Sequence, residues 1–486
     1  MSFRVTSLLT AAAVALALSS GCSSSSADAA STTDLAGAGG ASAGGGVGTA
    51  GTGGAGGSAA NGVAGGSAGS VGAAGKSGSA GAAGKSGSAG VGGSKATGGA
   101  GGSGATAGAA GTTGGAAGTT GGAAGSGGSA LSYPAFHPPV PQVVNGGGPV
   151  LASPVFVPVV FPATTFKTEI DDFFPKAVVS SAWAAELTEY GVGAGVAVPS
   201  VTSSPLPGAS ISQADLESFV ASHVGVGAWG TPDTGEFGSQ FYVLFLPPGV
   251  SVLLPSGKTT CGAGPYGYHR SVKVGATYVP YAVVANCMKG IVPITKIAWH
   301  EIVEGCADPY IPYSKAFSKA GADWSFAFNG SEIGDMCEHR ADQKITPPDI
   351  GYVVQRTWSN AAALAYHDPC VPAPSAPFFA AAPVLPGTVQ LGMAMVPGVQ
   401  IAVGSSTTID VQLFSDGPTA GPFDVAAKES QGGTSLSFAW DKTSGQNGDV
   451  LHLTISAVAA APGGTTFELE ASLGGASSQW VGAVGN

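Results

Sequence analysis

Between Phe3 and Tyr133 the chain has no aromatic residue, and from Leu35 to Thr168 it has no Asp or Glu. Such a stretch cannot bury enough apolar area to offset backbone ordering, which costs ~1–2 kcal/mol per residue. About a quarter of the 486 residues therefore reads as a long disordered tether. Its repeats, Gly-Ala-Ala-Gly-Lys-Ser-Gly-Ser-Ala at 72–80 and 81–89 and Thr-Thr-Gly-Gly-Ala-Ala-Gly at 112–118 and 119–125, are too short and small-residued for solenoid units. As flexible coil, ~100 residues reach ~55 Å root-mean-square.

The tether follows an export signal. Arg4 gives the positive start, Leu8 to Leu18 a short apolar run, and Ser19-Ser20-Gly21-Cys22 a small-residue cleavage site. The apolar run is too short to span a bilayer, which takes ~20 residues. Gly21-Cys22 resembles a bacterial lipobox, although Ser19 stands where that pattern usually has Leu. The resemblance implies cleavage before Cys22, lipidation of its sulfur and a cell-surface or outer-membrane lipoprotein. The layout expected is a signal peptide at 1–21, linker at 22–131, and folded domains at 132–373 and 374–486.

Net charge is −11, with 18 basic residues and four arginines (Arg4, Arg270, Arg340, Arg356). That argues against a nucleic-acid partner, which needs clustered Lys and Arg, and leaves the lipid as the membrane contact.

From Tyr133 onward aromatic and aliphatic residues arrive together. Val155 to Phe161, Phe241 to Leu246 and Tyr278 to Val284 read as buried strands, 169–190 has helical spacing, and Ser212 caps a helix with Asp215 three places on. This predicts an α+β domain with a mixed sheet. Beyond Pro372–Pro377 the period becomes two, in Thr408–Leu413, Leu436–Trp440, Leu451–Ile455 and Phe467–Ala471. These strands predict a C-terminal, Ig-like β-sandwich with His452 facing solvent.

With Cys22 lipidated, five cysteines remain. Cys306, six residues after His300 on the opposite face of a helix, reads as a buried apolar group. The expected disulfides are then Cys261–Cys287 and Cys337–Cys370.

The stretch most informative about chemistry is Thr295-Lys-Ile-Ala-Trp-His300-Glu301-Ile-Val-Glu304-Gly-Cys-Ala-Asp308-Pro309. Thr295 can cap and Pro309 can stop a helix of about three turns. His300 and Glu304, four apart, share a face and can both hold an ion, while Glu301 is placed as a general base. Glu332 or Asp335 would supply the third ligand, with His269, Asp308 and His339 as further candidates. The expected ion is Zn²⁺, but one His with two carboxylates is a harder ligand set than two His with one Glu, which makes manganese, iron or calcium an alternative. The same spacing through Lys296, His300, Glu304 and Asp308 is also that of a solvated helix face.

The run His-Glu-x-x-Glu, Asp308-Pro309, Trp324, Glu332-Ile-Gly-Asp335-x-Cys337, Trp358-Ser-Asn and Cys370 resembles a class of secreted microbial proteins regarded as zinc peptidases. The wider layout from Gly147 to Cys370 resembles the plant phosphate-induced (Exordium-like) family in its opening strand, the Phe241–Leu246 strand, Cys261, Gly267-Tyr-His269 and the Tyr281 strand with Cys287. The plant family lacks the His-Glu pair, so its fold does not require a metal. The microbial resemblance implies a zincin-like fold with an active-site helix, with His300, Glu301 and Glu304 as the core and Glu332 or Asp335 completing it. Cys306-Ala307 departs from the small residue and Thr usual before Asp-Pro. The expected partner is an extracellular peptide or protein substrate; for a non-catalytic adhesion protein it would be a cell-surface polymer.

Overall fold

The structure is a computed structural model that describes residues 132–181, 184–233 and 235–486. The expected export signal, Cys22 and the glycine-rich segment lie outside the described residues. Strands predominate, with a few helices.

The first half is built on one mixed sheet. Its long strands are β1 (Val155–Val160), β2 (Gln240–Phe245), β3 (Gly267–Val274) and β4 (Thr277–Val284), in the order β1-β2-β4-β3. β1, β2 and β4 run parallel, with Phe156 opposite Phe241 and Tyr242 opposite Tyr281. β3 closes the edge antiparallel to β4, with His269 opposite Ala282. Short strands Val196–Ala197 and Val201–Thr202 extend the other edge beside β1.

The long apolar runs follow from burial on both faces. Phe156, Phe241, Val243, Phe245 and Ala282 face one core with Ile297, Trp299 and Ile302. Val157, Val159, Tyr242, Leu244 and Val283 face the other with Leu216 and Val220. The helices supplying these covers include α1 (Lys167–Pro175), α2 (Gln213–His223) and α3 (Ile291–Ala307). The 169–190 segment is not one helix: α1 gives way to wider and tighter turns at 176–180 and 184–190. Ser212 caps α2 as expected, its Oγ accepting the Asp215 N–H at 3.1 Å.

α3 starts one turn earlier than Thr295 suggested. Pro293 fits its first turn, where backbone N–H groups lack intrahelical partners in any case. Thr295 is inside the helix, and its hydroxyl donates to the Val353 carbonyl at 2.7 Å.

Beyond α3 come α4 (Ala322–Phe328) and the single turn α5 (Asp335–Glu338). The Cys337–Cys370 disulfide ties α5 to the strand Cys370–Val371, and Cys261–Cys287 closes the loop before β3 onto the segment after β4. Both bridges match the sequence expectation and fit an oxidising compartment. Cys306 is unpaired and buried. Among the described residues no helix is long and apolar enough to cross a membrane.

From Phe379 two sheets stack. One holds β5 (Phe379–Pro383), β8 (Ser406–Ser415), β11 (Val450–Ala457) and β10 (Leu436–Trp440) in that order. The other runs β6 (Gly387–Leu391), β7 (Ala394–Gln400), β13 (Ala476–Gly485), β12 (Thr465–Leu473) and β9 (Phe423–Glu429), with Ser444–Gly445 at its edge. Aromatic pairs bridge the sheets: Phe379–Phe423 at 4.9 Å, Phe438–Phe467 at 5.9 Å and Phe414–Trp480 at 6.0 Å between ring centroids. All four predicted strands are present, and His452 faces solvent beside Asp410.

Candidate metal centre

α3 packs on the sheet beside the antiparallel edge, so its inner face meets β3. On that face the expected stripe is not solvated. His300 is 4% exposed and both Glu304 and Asp308 are 0% exposed. Lys296, in the second turn of α3, turns to Glu338, with Nζ 3.2 Å from Oε1.

His300 and Glu304 converge as their spacing requires, with His300 Nε2 3.3 Å from Glu304 Oε1. Asp335, delivered by α5, places Oδ1 3.7 Å from the same Nε2. The Asp335 backbone N–H donates to Glu304 Oε1 at 3.0 Å, and Asp335 Oδ2 accepts the Glu332 N–H at 3.2 Å.

Gln355, from the short strand Val354–Gln355, orients the imidazole. Its Nε2 donates to the Gly334 carbonyl at 2.7 Å, leaving its Oε1 to accept from His300 Nδ1 at 3.2 Å. With Nδ1 engaged by Gln355, Nε2 is the ring atom aimed at the two carboxylates.

A second donor group stands on the other side of Glu304. His269, carried by β3, puts Nδ1 3.4 Å from Glu301 Oε2 and 3.7 Å from Glu304 Oε2. Its Nε2 lies 3.8 Å from Glu332 Oε2. Both groups, His300–Glu304–Asp335 and His269–Glu301–Glu304, keep one donor atom per residue within 4.8 Å of the others.

These side chains form a concentration of buried negative charge. Glu301, Glu304, Asp308, Glu332 and Asp335 are all at most 7% exposed, against two imidazoles. Burial pushes the Glu301 and Asp308 carboxyls above their usual range, and burial with the neighbouring Glu304 charge does so strongly for Asp335. Burial disfavours charge on His300, but the Glu304 carboxylate outweighs it and raises the imidazole well above its usual range. At His269 burial is likewise outweighed, chiefly by Glu301.

Each expected residue can now be placed. His300, Glu304 and Asp335 meet, and so do His269 and Glu301. Glu332 stands behind His269 instead of joining His300. Asp308 anchors the chain after α3, Oδ1 accepting the Ala316 N–H at 2.6 Å. His339 belongs to neither donor group: α5 ends at Glu338, and the His339 ring stacks on Phe328 at 4.5 Å. Gln355 was not foreseen, because a neutral amide 55 residues from His300 carries no motif.

The residues present fit a divalent cation. Tetrahedral coordination with ~2.1 Å bonds separates neighbouring donors by ~3.4 Å, close to the spacings within both groups. The orphaned His300 Nε2 and the surplus of carboxylates each call for a positive charge.

No family model and no curated protein matches the chain. Among solved structures it is similar to the titin M4 domain, at 13% identity over 18% of this chain and 83% of that one, with a TM-score of 0.14. The titin M3 domain matches at 10% identity over 18% and 84%, with a TM-score of 0.13. A chimeric titin Z1Z2 matches at 14% identity over 23% and 94%, with a TM-score of 0.14.

Proposed function

We propose that the chain is an exported, lipid-tethered protein whose zincin-like domain is a metal-dependent hydrolase of peptide bonds, followed by an Ig-like display domain. One observation carries the reading: a buried His300 Nε2 faces Glu304 and Asp335 at ion-binding distances, with the ring held through Nδ1 by Gln355. The mixed sheet with α3 against its antiparallel edge supports the zincin-like assignment.

His300, Glu304 and Asp335 would hold the ion, zinc or another divalent cation. When bound, such an ion supplies Lewis acidity to a carbonyl. Glu301 follows His300 on α3 and would act as the general base, with burial raising its carboxyl above the usual range. Asp308 fixes the loop after α3, and Gln355 prevents His300 from rotating. The partner is an extracellular peptide or protein.

The burial of every donor favours a second reading, in which the ion is structural and the protein binds a cell-surface polymer without catalysis. Elemental analysis and peptide-library cleavage, before and after chelation, separate the two. The hydrolase reading expects one or more equivalents of metal, chelator-sensitive cleavage, and in His300→Ala loss of cleavage together with at least one equivalent of metal. Metal without cleavage favours the structural ion, and a His300→Ala variant retaining full metal refutes both.

A further inference from the structure

Glu304 presents different oxygens to the two donor groups. Oε1 faces His300 Nε2 at 3.3 Å, and Oε2 faces His269 Nδ1 at 3.7 Å. A carboxylate held this way can bridge two cations, the arrangement of two-metal sites with ions ~3.5–4 Å apart. From this we infer that the centre is dinuclear: one divalent transition-metal ion between His300, Glu304 and Asp335, a second between His269, Glu301 and Glu304.

The second position has its own geometry. His269 Nδ1 to Glu301 Oε2 is 3.4 Å, long for a hydrogen bond but the span of two ligands around one ion. The His269 side chain is 1% exposed, and its Nε2 has no hydrogen-bond partner. That nitrogen faces Glu332 Oε2 at 3.8 Å, beyond hydrogen-bond length but on the side away from the ligating atom. Gly267, two residues before His269 on β3, keeps the strand close: a Cβ there would stand 2.6 Å from Glu301 Oε1. In the dinuclear centre Glu301 ligates the second ion, which replaces the base role it has in the mononuclear reading.

This rests on the metal-centre reading, and the test separates the two. The purified full chain is stripped, loaded with MnCl2 and dialysed; bound manganese is counted and its electron paramagnetic resonance spectrum recorded. Two ions per chain with a spin-coupled spectrum are expected in the parent. His269→Ala and Glu301→Gln should each hold one ion with an uncoupled spectrum, and circular dichroism should show them folded. If His269→Ala misfolds, Glu301→Gln alone decides, since a base-only role leaves two ions in place. One ion in the parent, lost in His300→Ala and kept in His269→Ala, overturns the second position and leaves the mononuclear site standing. No ion at all overturns both.

Discussion

Gly334→Ala tests the centre without removing a donor. Gly334 has φ −79° and ψ −47°, ordinary helical values, so alanine meets no backbone strain. Its Cβ would stand 2.6 Å from Glu304 Oε1 and 3.0 Å from His300 Nδ1, where ordinary contact starts at 3.4 Å. Glu304 must then yield by about 0.8 Å and His300 by about 0.4 Å, while metal–ligand distances tolerate only about ±0.2 Å. Two groups at the ion are pushed at once, so affinity should fall at least ~10–100-fold, the range for disturbing the partners that orient ligands. Overpacking costs ~1–3 kcal/mol of stability, partly offset by ~0.4–1 kcal/mol from stiffening the unfolded chain. Gly387→Ala is the control, because nothing lies within 4 Å of its Cβ. Zinc titration by calorimetry, with urea unfolding of both variants, gives the two quantities. Parental affinity in Gly334→Ala would show that Glu304 and His300 do not hold the ion together.

Metal uptake should release protons, because the raised His300 imidazole carries a proton that the ion displaces. Affinity should weaken by up to about tenfold per pH unit for each proton displaced, readable as a buffer-dependent calorimetric enthalpy. Saturating metal at ~100 times its Kd should stabilise the folded chain by ~2.7 kcal/mol, and a melting temperature unmoved by chelator would contradict this. Away from the site, burial raises Asp368 but Arg340 and Arg356 outweigh it and hold the carboxyl below its usual range. Its contribution is therefore complete above the unfolded value of ~3.9 and lost as pH falls through the lower folded value. Asp368→Asn should cost ~3–5 kcal/mol at pH 7 by leaving buried guanidinium groups underpaired, with the difference shrinking in acid unfolding curves. Cutting Cys337–Cys370, which links positions 33 apart, should cost ~3–4 kcal/mol by chain entropy, and Cys337→Ser should also loosen Asp335 and lower metal content.

The sequence made α3 and the sandwich readable for physical reasons. Uninterrupted apolar runs mark strands covered on both faces, as in Phe241–Leu246, and strict alternation marks the sandwich. His269 was readable as a candidate, but its strand was not: Arg270, Ser271 and Lys273 interrupt the apolar pattern along β3. The hairpin signal was present, since Gly275 adopts φ 60° in the two-residue turn between Val274 and its partner Thr277. The choice between Glu332 and Asp335 could not be made from spacing. Both lie near the start of the same short turn, and only the docking of α5, with the Asp335 N–H on Glu304, separates them. Whether the α3 stripe faced water or core was also undetermined, because four-residue spacing is identical in both cases and the sheet edge decides.

The donor chemistry narrows the ion further than the motif does. Calcium takes six to eight oxygens, whereas each donor group here places an imidazole nitrogen among its closest contacts. Magnesium keeps most of its water and rarely accepts nitrogen. Imidazole with two carboxylates suits zinc, manganese or ferrous iron, and the surplus of buried carboxylates favours higher total positive charge over a single dication. Two ions sharing Glu304 supply it and keep Glu301 and Asp335 ionised against the burial that otherwise raises both carboxyls. Glu332 stands 3.8 Å behind His269 Nε2 and belongs to neither donor group, so Glu332→Gln should keep both ions and weaken the second by at most the ~10–100-fold typical of partners that orient ligands.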